Sequence, residues 1–220
     1  MPTKSTGSKS KTGEKRSSSK GKSQKLDLYA KHKNEYVAGR LPVLVSVGPA
    51  KYLGFAGRSA PGSPEFQNAV GALYTMAFTM KMARKAAGAD YMVTKLEGQW
   101  WLDEGAEEPT PTTVWNWQVL LRVPPFITEK ERAKAAEDLV AKGKPADVRR
   151  VQLVEFEEGP CVQILHIGPY TDEKESIGKM REFAAQAGRK FSGRHHEIYL
   201  SDPRKVKPDK LKTILRQPVA

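Results

Sequence analysis

The amino-acid sequence predicts an α+β fold in which a β-α-β-β unit occurs twice and forms a pseudo-two-fold antiparallel sheet arrangement. The order strand, Gly/Pro loop, long helix, strand, strand runs from Lys51 to Val123 and returns from Cys161 to Arg216. The composition, 39% hydrophobic and 28% charged residues, is typical of a globular chain. Each long helix should cover one face of its sheet, so that the opposite faces can meet around a central cleft.

The first unit opens with β-prone runs at residues 41–47 and 51–58, split by Gly48-Pro49, which predicts strand, turn, strand. A helix should begin after Ser63, an N-cap residue followed by proline and glutamate, and should end near Ala87. Its apolar residues recur at helical spacing: Phe66, Ala69, Val70, Leu73, Met76, Ala77 and Met80.

Two strands, at residues 91–102 and 113–123, complete the first unit around a loop that contains GAEEPTP, residues 105–111. A connector follows over residues 124–156. Within it, Thr128 and Glu131 have the spacing of a capping box, which predicts a polar helix ending near Gly143 and then a strand from Arg149 to Phe156.

The second unit spans residues 157–220. Residues 161–168 predict a strand that Gly168-Pro169 ends, and residues 171–188 predict an amphipathic helix. Residues 194–201 and 212–216 predict the closing strands. The domain is therefore expected over residues 25–220, with the first repeat at about 41–123.

The basic charge is concentrated at the N-terminus. Residues 1–25 hold seven Lys, one Arg and one Glu, a net +7 out of the total of +12. Residues 1–24 contain no large apolar side chain after Met1, which predicts a disordered tail. Such a tail can contact nucleic acid weakly and in a salt-sensitive way, although no aromatic residue among the lysines could stack on bases.

Several classes of function are excluded. A lone Cys161 cannot form an internal disulfide, and neither a signal-peptide core nor a membrane-spanning run is present, so we expect a cytoplasmic protein without membrane contact. Phosphate-loop and serine-hydrolase motifs are missing. Adjacent histidines at 195 and 196 point to opposite faces of a strand, which argues against a metal site, and no cofactor is expected.

Glu197 is the first candidate for chemistry. Alternation places His195, Glu197 and Tyr199 on one strand face and His196, Ile198 and Leu200 on the other. The second set is more apolar and suits the helix-covered side, which would leave Glu197 facing the cleft. A carboxylate there has a raised pKa and can attract a cation or act as a base, whereas the alternative is a solvated residue or one paired with Arg194.

Aromatic residues supply the rest of the predicted site. A hairpin would gather all four tryptophans, Trp100, Trp101, Trp115 and Trp117, where they could stack on planar or cationic ligands or simply form core. Tyr74 on the first long helix could donate a proton to a ligand oxygen or be a buried phenol with one hydrogen bond. Phe55, His166 and Tyr170 are further ligand-binding candidates.

The segments HIGPYTDE (166–173) and HHEIYLSDPRK (195–205) resemble the GyrI-like small-molecule-binding superfamily. The likeness continues through residues 61–81, 96–101, 123–128 and 211–219, and so covers nearly everything after about residue 26. It implies a duplicated β-α-β-β fold with a cleft between the halves, in which aromatic residues and a glutamate, here Glu197, bind hydrophobic and often cationic drugs.

Within that superfamily the chain resembles the stand-alone subgroup, which is similar to cyclopropanoid cyclohydrolases. These enzymes open the strained ring of DNA-alkylating natural products by adding water. The resemblance implies that Glu197 orients or deprotonates the water and that Tyr74 acts as a hydrogen donor to a dienone oxygen. A non-catalytic module that binds or senses drugs is the main alternative. A nucleic-acid-associated or gyrase-directed protein acting through the tail is another. The protein is expected to be a monomer or a homodimer.

Overall fold

The computed structural model describes Met1, Thr3 and residues 25–103 and 113–220. The tail predicted over residues 1–24 lies almost wholly outside these residues, and the GAEEPTP loop lies entirely outside them. The strands are β1 (Val43–Val47), β2 (Ala50–Ser59), β3 (Glu97–Trp101), β4 (Trp115–Arg122), β5 (Gln152–Phe156), β6 (Gly159–Ile167), β7 (His195–Tyr199) and β8 (Lys212–Pro218). The helices are α1 (Leu28–Lys31), α2 (Lys33–Tyr36), α3 (Pro64–Ala86), α4 (Glu129–Ala141) and α5 (Glu173–Gln186).

All eight strands form one antiparallel sheet in the order β1-β6-β8-β7-β3-β4-β2-β5. The unit β2-α3-β3-β4 and the unit β6-α5-β7-β8 are therefore related by a pseudo-two-fold axis between β3 and β7. The predicted α+β fold with two β-α-β-β modules is confirmed.

Each unit takes its edge strand from the segment that precedes the other unit. β1 pairs with β6, and β5 pairs with β2. The adjacent strands β1 and β2 do not pair with each other, so Gly48-Pro49 redirects the chain without closing a hairpin. This exchange ties the two halves together across the whole sheet.

Both long helices lie on the same face of the sheet. Register and pairing place one row of side chains across the sheet, in the order Val119, Gly98, Glu197, Leu215 and Ile164. Val119 packs in the core beneath α3, while Leu215 and Ile164 pack beneath α5. The expectation of two sheets whose helix-free faces meet is therefore wrong, because the central strands β3 and β7 pair and join the halves edge to edge.

The opposite face is covered by the N-terminal segment, which contains α1 and α2. Tyr36 packs there with Ile198 and Ile214, and Leu200 lies at the edge of the same cluster. The alternation predicted for β7 is correct. The apolar face was expected to lie beneath a long helix, but it is the face of Glu197 that lies on the side of the long helices. The apolar face of β7 is buried by two short helices that the sequence did not predict, not by a long one.

The helix starts agree closely with the capping signals. The Ser63 side chain accepts a hydrogen bond from the Phe66 N–H, and Thr128 with Glu131 forms a complete capping box. The predicted strand at 91–102 is shorter in the structure. Its first residues pair with the N-terminal segment instead, through a bridge between Leu26 and Tyr91.

Within the described residues, no helix combines the length and apolar character that a membrane crossing requires.

Candidate functional site

The middle of the sheet lies between α3 and α5, and this region is called the cleft below. Helix α3 packs on β2 and β4, and α5 packs on β6, so the central strands β3 and β7 lie between them. Gly98 on β3 faces Glu197 on β7 at the floor of this cleft. A Cβ atom at Gly98 would lie 3.0 Å from the Tyr199 hydroxyl, so glycine leaves room for the polar groups beside it.

Glu197 lies in this cleft with 13% of its side chain exposed. Burial raises its pKa to about 7, although a hydrogen bond from Tyr199 opposes the shift. The Tyr199 hydroxyl in turn accepts a hydrogen bond from Trp100 Nε1 at 3.1 Å. A carboxyl that titrates near neutral pH can serve as a general base or as the counter-charge of a cation.

Glu173, the first residue of α5, is the functional candidate that the sequence did not single out. Its side chain is buried, with 7% of the residue exposed. Burial and the charge of Glu197 raise its pKa to about 9, because two carboxylates so close together cannot easily both ionise. Among the described residues, neither acid forms a salt bridge with Lys or Arg.

His195 completes the polar group at the cleft floor. Its Nε2 lies 3.7 Å from Glu197 Oε1. Burial lowers its pKa to about 4, although a hydrogen bond with the Gln217 side chain acts to raise that pKa. His195 is therefore neutral at physiological pH and does not neutralise either acid.

Tyrosines from both units form the rim of the cleft. Burial and the charges of Glu197, Glu173 and Asp202 raise the pKa of Tyr170 to about 12. Its ring meets Tyr199 edge-on at 5.8 Å between centroids. Tyr74 on α3 stacks with Phe78, and its pKa is raised by burial and by the charge of Asp202, which follows β7. Phenols of the first and second units thus approach the same loop.

The tryptophans do not share one environment. Trp100 lies over the cleft floor, stacked on Phe66 at 5.3 Å between centroids. Trp117 is fully buried, and its indole donates to Ser59 Oγ. Trp115 is half-buried at the margin of the core under α3. Trp101 lies on the opposite face of the sheet, where the Arg194 guanidinium stacks 3.7 Å from its ring centroid.

Two other candidates are engaged by partners within the fold. Phe55 is buried against Trp117, with Arg150 over its ring. His166 has a partner for each ring nitrogen, Ser176 Oγ at 3.0 Å and the Pro169 carbonyl at 3.1 Å. It thereby fixes the loop that carries Tyr170 into the start of α5.

A second cluster of buried charges lies on the opposite face of the sheet, beneath α1 and α2. Glu158 bridges His196 Nδ1 and Arg216 Nη1, each at 2.9 Å. Burial would raise the pKa of Glu158, but these two cations hold it at about 2. Burial would also lower the pKa of His196, but the charges of Glu158 and Glu97 raise it to about 9.

The same cluster extends into the first unit. Glu97 lies 3.1 Å from His196 Nε2 and accepts a hydrogen bond from the Tyr36 hydroxyl at 2.8 Å. Arg122 pairs with Glu35 of α2 at 2.5 Å. Three acids therefore face three cations, and the network joins both units to the N-terminal segment.

The sequence contained a weak signal for Glu173. The residue ends the TDE triplet after Gly168-Pro169 and begins a helix, where an acid normally interacts with the helix dipole. Only the fold shows that α5 lies beside β7 and brings this carboxyl close to that of Glu197.

The duplicated fold and its acidic, aromatic cleft define an α+β small-molecule-binding protein. The chain belongs to the family of GyrI-like small-molecule-binding domains, whose sequence model matches residues 45–220. A comparison with curated protein sequences gave no match.

Solved structures from Listeria innocua share both fold and sequence with this chain. An uncharacterised conserved protein is 38% identical, with a TM-score of 0.84, and the match covers 89% of this chain and all of that one. A hydrolase is 36% identical, with a TM-score of 0.81, and the match covers 90% of this chain and all of that one. The C-terminal domain of EcmrR, 10% identical with a TM-score of 0.55 over 81% of this chain and 96% of that one, shares the fold alone.

Proposed function

We propose that this protein binds bulky hydrophobic aromatic molecules, including cations, in the cleft between α3 and α5, with Glu197 as the polar anchor. The observation that carries the proposal is the close approach of two buried carboxyls, Glu197 and Glu173, to which the described part of the chain supplies no Lys or Arg partner. Membership of a small-molecule-binding family supports it.

The electrostatics of the pair favour a cationic ligand. Burying a carboxylate without a counter-charge costs several kcal/mol, and here the groups meet that cost by retaining protons. A cation in the cleft would replace those protons. The rings of Trp100, Tyr170 and Tyr199 lie beside the acids and could attract the same cation through their faces, with roughly 0.5–2 kcal/mol for each contact.

The polar side chains at the cleft floor are largely buried in this structure. Glu197 and His195 expose only 13% and 18% of their side chains. A bulky ligand therefore requires movement at the rim, where Tyr170 remains 40% exposed. Rotation of Tyr170 away from Tyr199 would widen the entrance without disturbing the sheet.

Hydrolytic ring opening of cyclopropanoid alkylating agents is the finer part of the proposal. The Listeria hydrolase at 36% identity supports a hydrolase activity. Glu197 would take a proton from water while the water oxygen bonds to a ring carbon. The broken C–C bond then supplies its electron pair to the conjugated dienone, and Tyr74 donates a proton to the resulting oxygen. The sum is the addition of one water molecule.

Binding is tested with ethidium, a planar aromatic cation, and with neutral phenanthridine, which shares its ring system. Fluorescence titration of the full chain at pH 7.5 should give tighter binding of ethidium, and Glu197→Gln should weaken ethidium at least tenfold while phenanthridine changes less. Glu175→Gln, an exposed acid on α5, is the matched control. Equal loss for both ligands would contradict a role for the Glu197 charge.

Turnover is tested separately with a spirocyclopropane cyclohexadienone. Mass spectrometry should show a product heavier by one water, formed faster with wild type than with Glu197→Gln or Tyr74→Phe. Ethidium binding without this product would favour a non-catalytic module that sequesters or senses drugs. Equal rates for wild type and Glu197→Gln would remove Glu197 from the chemistry.

The expected compartment is part of the same proposal. The one cysteine, Cys161, is buried and free, and burial raises the pKa of its thiol to about 12. A reducing cytoplasm suits a chain of this composition.

A further inference from the structure

Three metal-binding side chains converge on the floor of the cleft. Glu173, His195 and Glu197 can each present one ligand atom such that all three atoms lie within 4.8 Å of one another. Two of them come from alternate residues of β7, and the third comes from the first turn of α5. The pseudo-two-fold arrangement gives this set no counterpart in the first unit, where Gly98 faces Glu197 and Trp100 faces His195.

Two of these side chains also carry buried polar atoms without a hydrogen-bond partner. Among the described residues, Glu173 Oε1 and His195 Nε2 are buried and have no hydrogen-bond partner. Glu173 is more than nine-tenths buried, and its carboxyl lies within reach of the other two groups. An unpartnered buried carboxylate oxygen and an unpartnered imidazole nitrogen are costly to maintain, and both are satisfied by a cation.

We propose that Glu173, His195 and Glu197 bind a divalent transition-metal ion of the zinc class. Imidazole and carboxylate are ligands that zinc accepts, and two carboxylates would balance its charge. The separation of 3.7 Å between His195 Nε2 and Glu197 Oε1 is close to the roughly 3.4 Å expected between two ligands of a tetrahedral zinc. Three protein ligands would leave one position open for water or a substrate oxygen.

Neighbouring side chains would orient the ligands. Tyr199 hydrogen-bonds to Glu197, and Gln217 interacts with His195, as outer partners of metal ligands commonly do. The divergence of His195 and His196, which argued against a metal in the sequence, is real. The set nevertheless forms because its remaining members are acids, one of them on another element.

The inference is tested by calorimetry on the full chain after treatment with a chelator. Titration with zinc chloride should show one site per chain. Glu173→Gln and His195→Gln should each weaken zinc binding at least tenfold. Glu175→Gln on the same helix and His32→Gln in the N-terminal segment are the matched controls and should leave it unchanged. Cobalt(II) should give visible d–d bands of a four- or five-coordinate site that Glu173→Gln abolishes.

Circular dichroism and thermal unfolding of the metal-free variants separate loss of a ligand from loss of the fold. Zinc binding that survives both Glu173→Gln and His195→Gln in folded protein would overturn the inference, as would the lack of a one-to-one site in wild type. The inference does not depend on the proposed binding of organic cations. If ethidium binds and zinc does not, only the metal site fails, and if zinc alone binds, the ligand class proposed above fails.

Discussion

The two faces of the sheet carry buried charge in different ways. On the face beneath α1 and α2, Glu158 contacts both His196 and Arg216, and each charge has an opposite partner. On the face beneath α3 and α5, Glu197 and Glu173 approach each other without a Lys or Arg among the described residues. The consecutive residues His195 and His196 differ accordingly. Burial lowers the pKa of His195 to about 4, whereas the charges of Glu158 and Glu97 raise the pKa of His196 to about 9.

Burial of ionisable groups therefore does not by itself mark a functional site in this protein. The neutralised network joins the two units to the N-terminal segment, which is a structural role that buried ion networks commonly have. The unneutralised pair is retained at a cost to stability and faces an aromatic cleft. This difference supports the proposal that the ligand binds on the face beneath α3 and α5.

The largest expected effect comes from breaking the neutralised network. Glu158→Gln should lower the free energy of unfolding by about 3 kcal/mol at pH 7, because Arg216 and His196 would be left buried without their shared acid. Denaturant unfolding with a linear extrapolation measures the change. Glu157→Gln, one residue earlier and exposed, is the control and should change stability by less than about 0.5 kcal/mol.

The buried acid Glu173 should make the free energy of unfolding fall as the pH rises. The pKa of Glu173 in the folded protein, about 9, lies above the ordinary value of 4.5. The folded state therefore holds a proton that the unfolded state releases, and stability falls as the pH rises from the ordinary value through about 9. Glu173→Gln should remove this loss and gain about 2 kcal/mol relative to wild type between pH 6.5 and pH 8.

Comparing variant with wild type isolates Glu173 from the other face. His196 also has a raised pKa, so its contribution is complete below about 6.5 and is lost as the pH rises through about 9. That contribution is common to both proteins and cancels in the difference. A constant difference in unfolding free energy from pH 5 to pH 8 would show that Glu173 does not titrate as described.

Much of the fold could be predicted from sequence because its signals are local. The caps at Ser63 and Thr128 fixed the starts of α3 and α4, and two-residue alternation paired Glu197 with His195 and Tyr199 on one face. The covering of each face could not be predicted. It depends on pairing of β3 with β7 and on α2, a four-residue helix with little sequence signal.

The candidate site was predictable to the same extent. Two-residue alternation on β7 places Glu197, His195 and Tyr199 on one face. Trp100 meets them only through the pairing of β3 with β7, which the sequence does not reveal. Glu173 required knowledge of how the first turn of α5 approaches Glu197 on β7, which no spacing encodes. Trp101 was grouped with Trp100 by proximity in sequence, yet adjacent strand residues point to opposite faces.

That adjacency provides a matched pair for ligand binding. Trp100→Leu should weaken ethidium about tenfold, or about 1.4 kcal/mol, because it removes the indole beside Glu197. Trp101→Leu should leave the affinity within twofold, since its ring lies under Arg194 on the other face. Fluorescence titration of both variants, with their folding checked by circular dichroism, decides the matter. Similar losses in the two would place the ligand elsewhere.

The smallest expected effect concerns the hydroxyl that links an indole to the acid. Tyr199→Phe leaves Trp100 Nε1 without its acceptor and Glu197 without a donor, so stability at pH 8 should fall by about 1 kcal/mol. The pKa of Glu197 should rise further, because the lost hydrogen bond favours its charged form. Titration of ¹³C-labelled glutamate by NMR measures the pKa of Glu197. Tyr170→Phe keeps the edge-on ring but lacks the hydroxyl, and it should change this pKa less. A lower pKa of Glu197 in Tyr199→Phe would mean that water enters the cleft and relieves the burial of Glu197. The raised pKa in wild type would then depend on exclusion of water by the Tyr199 side chain.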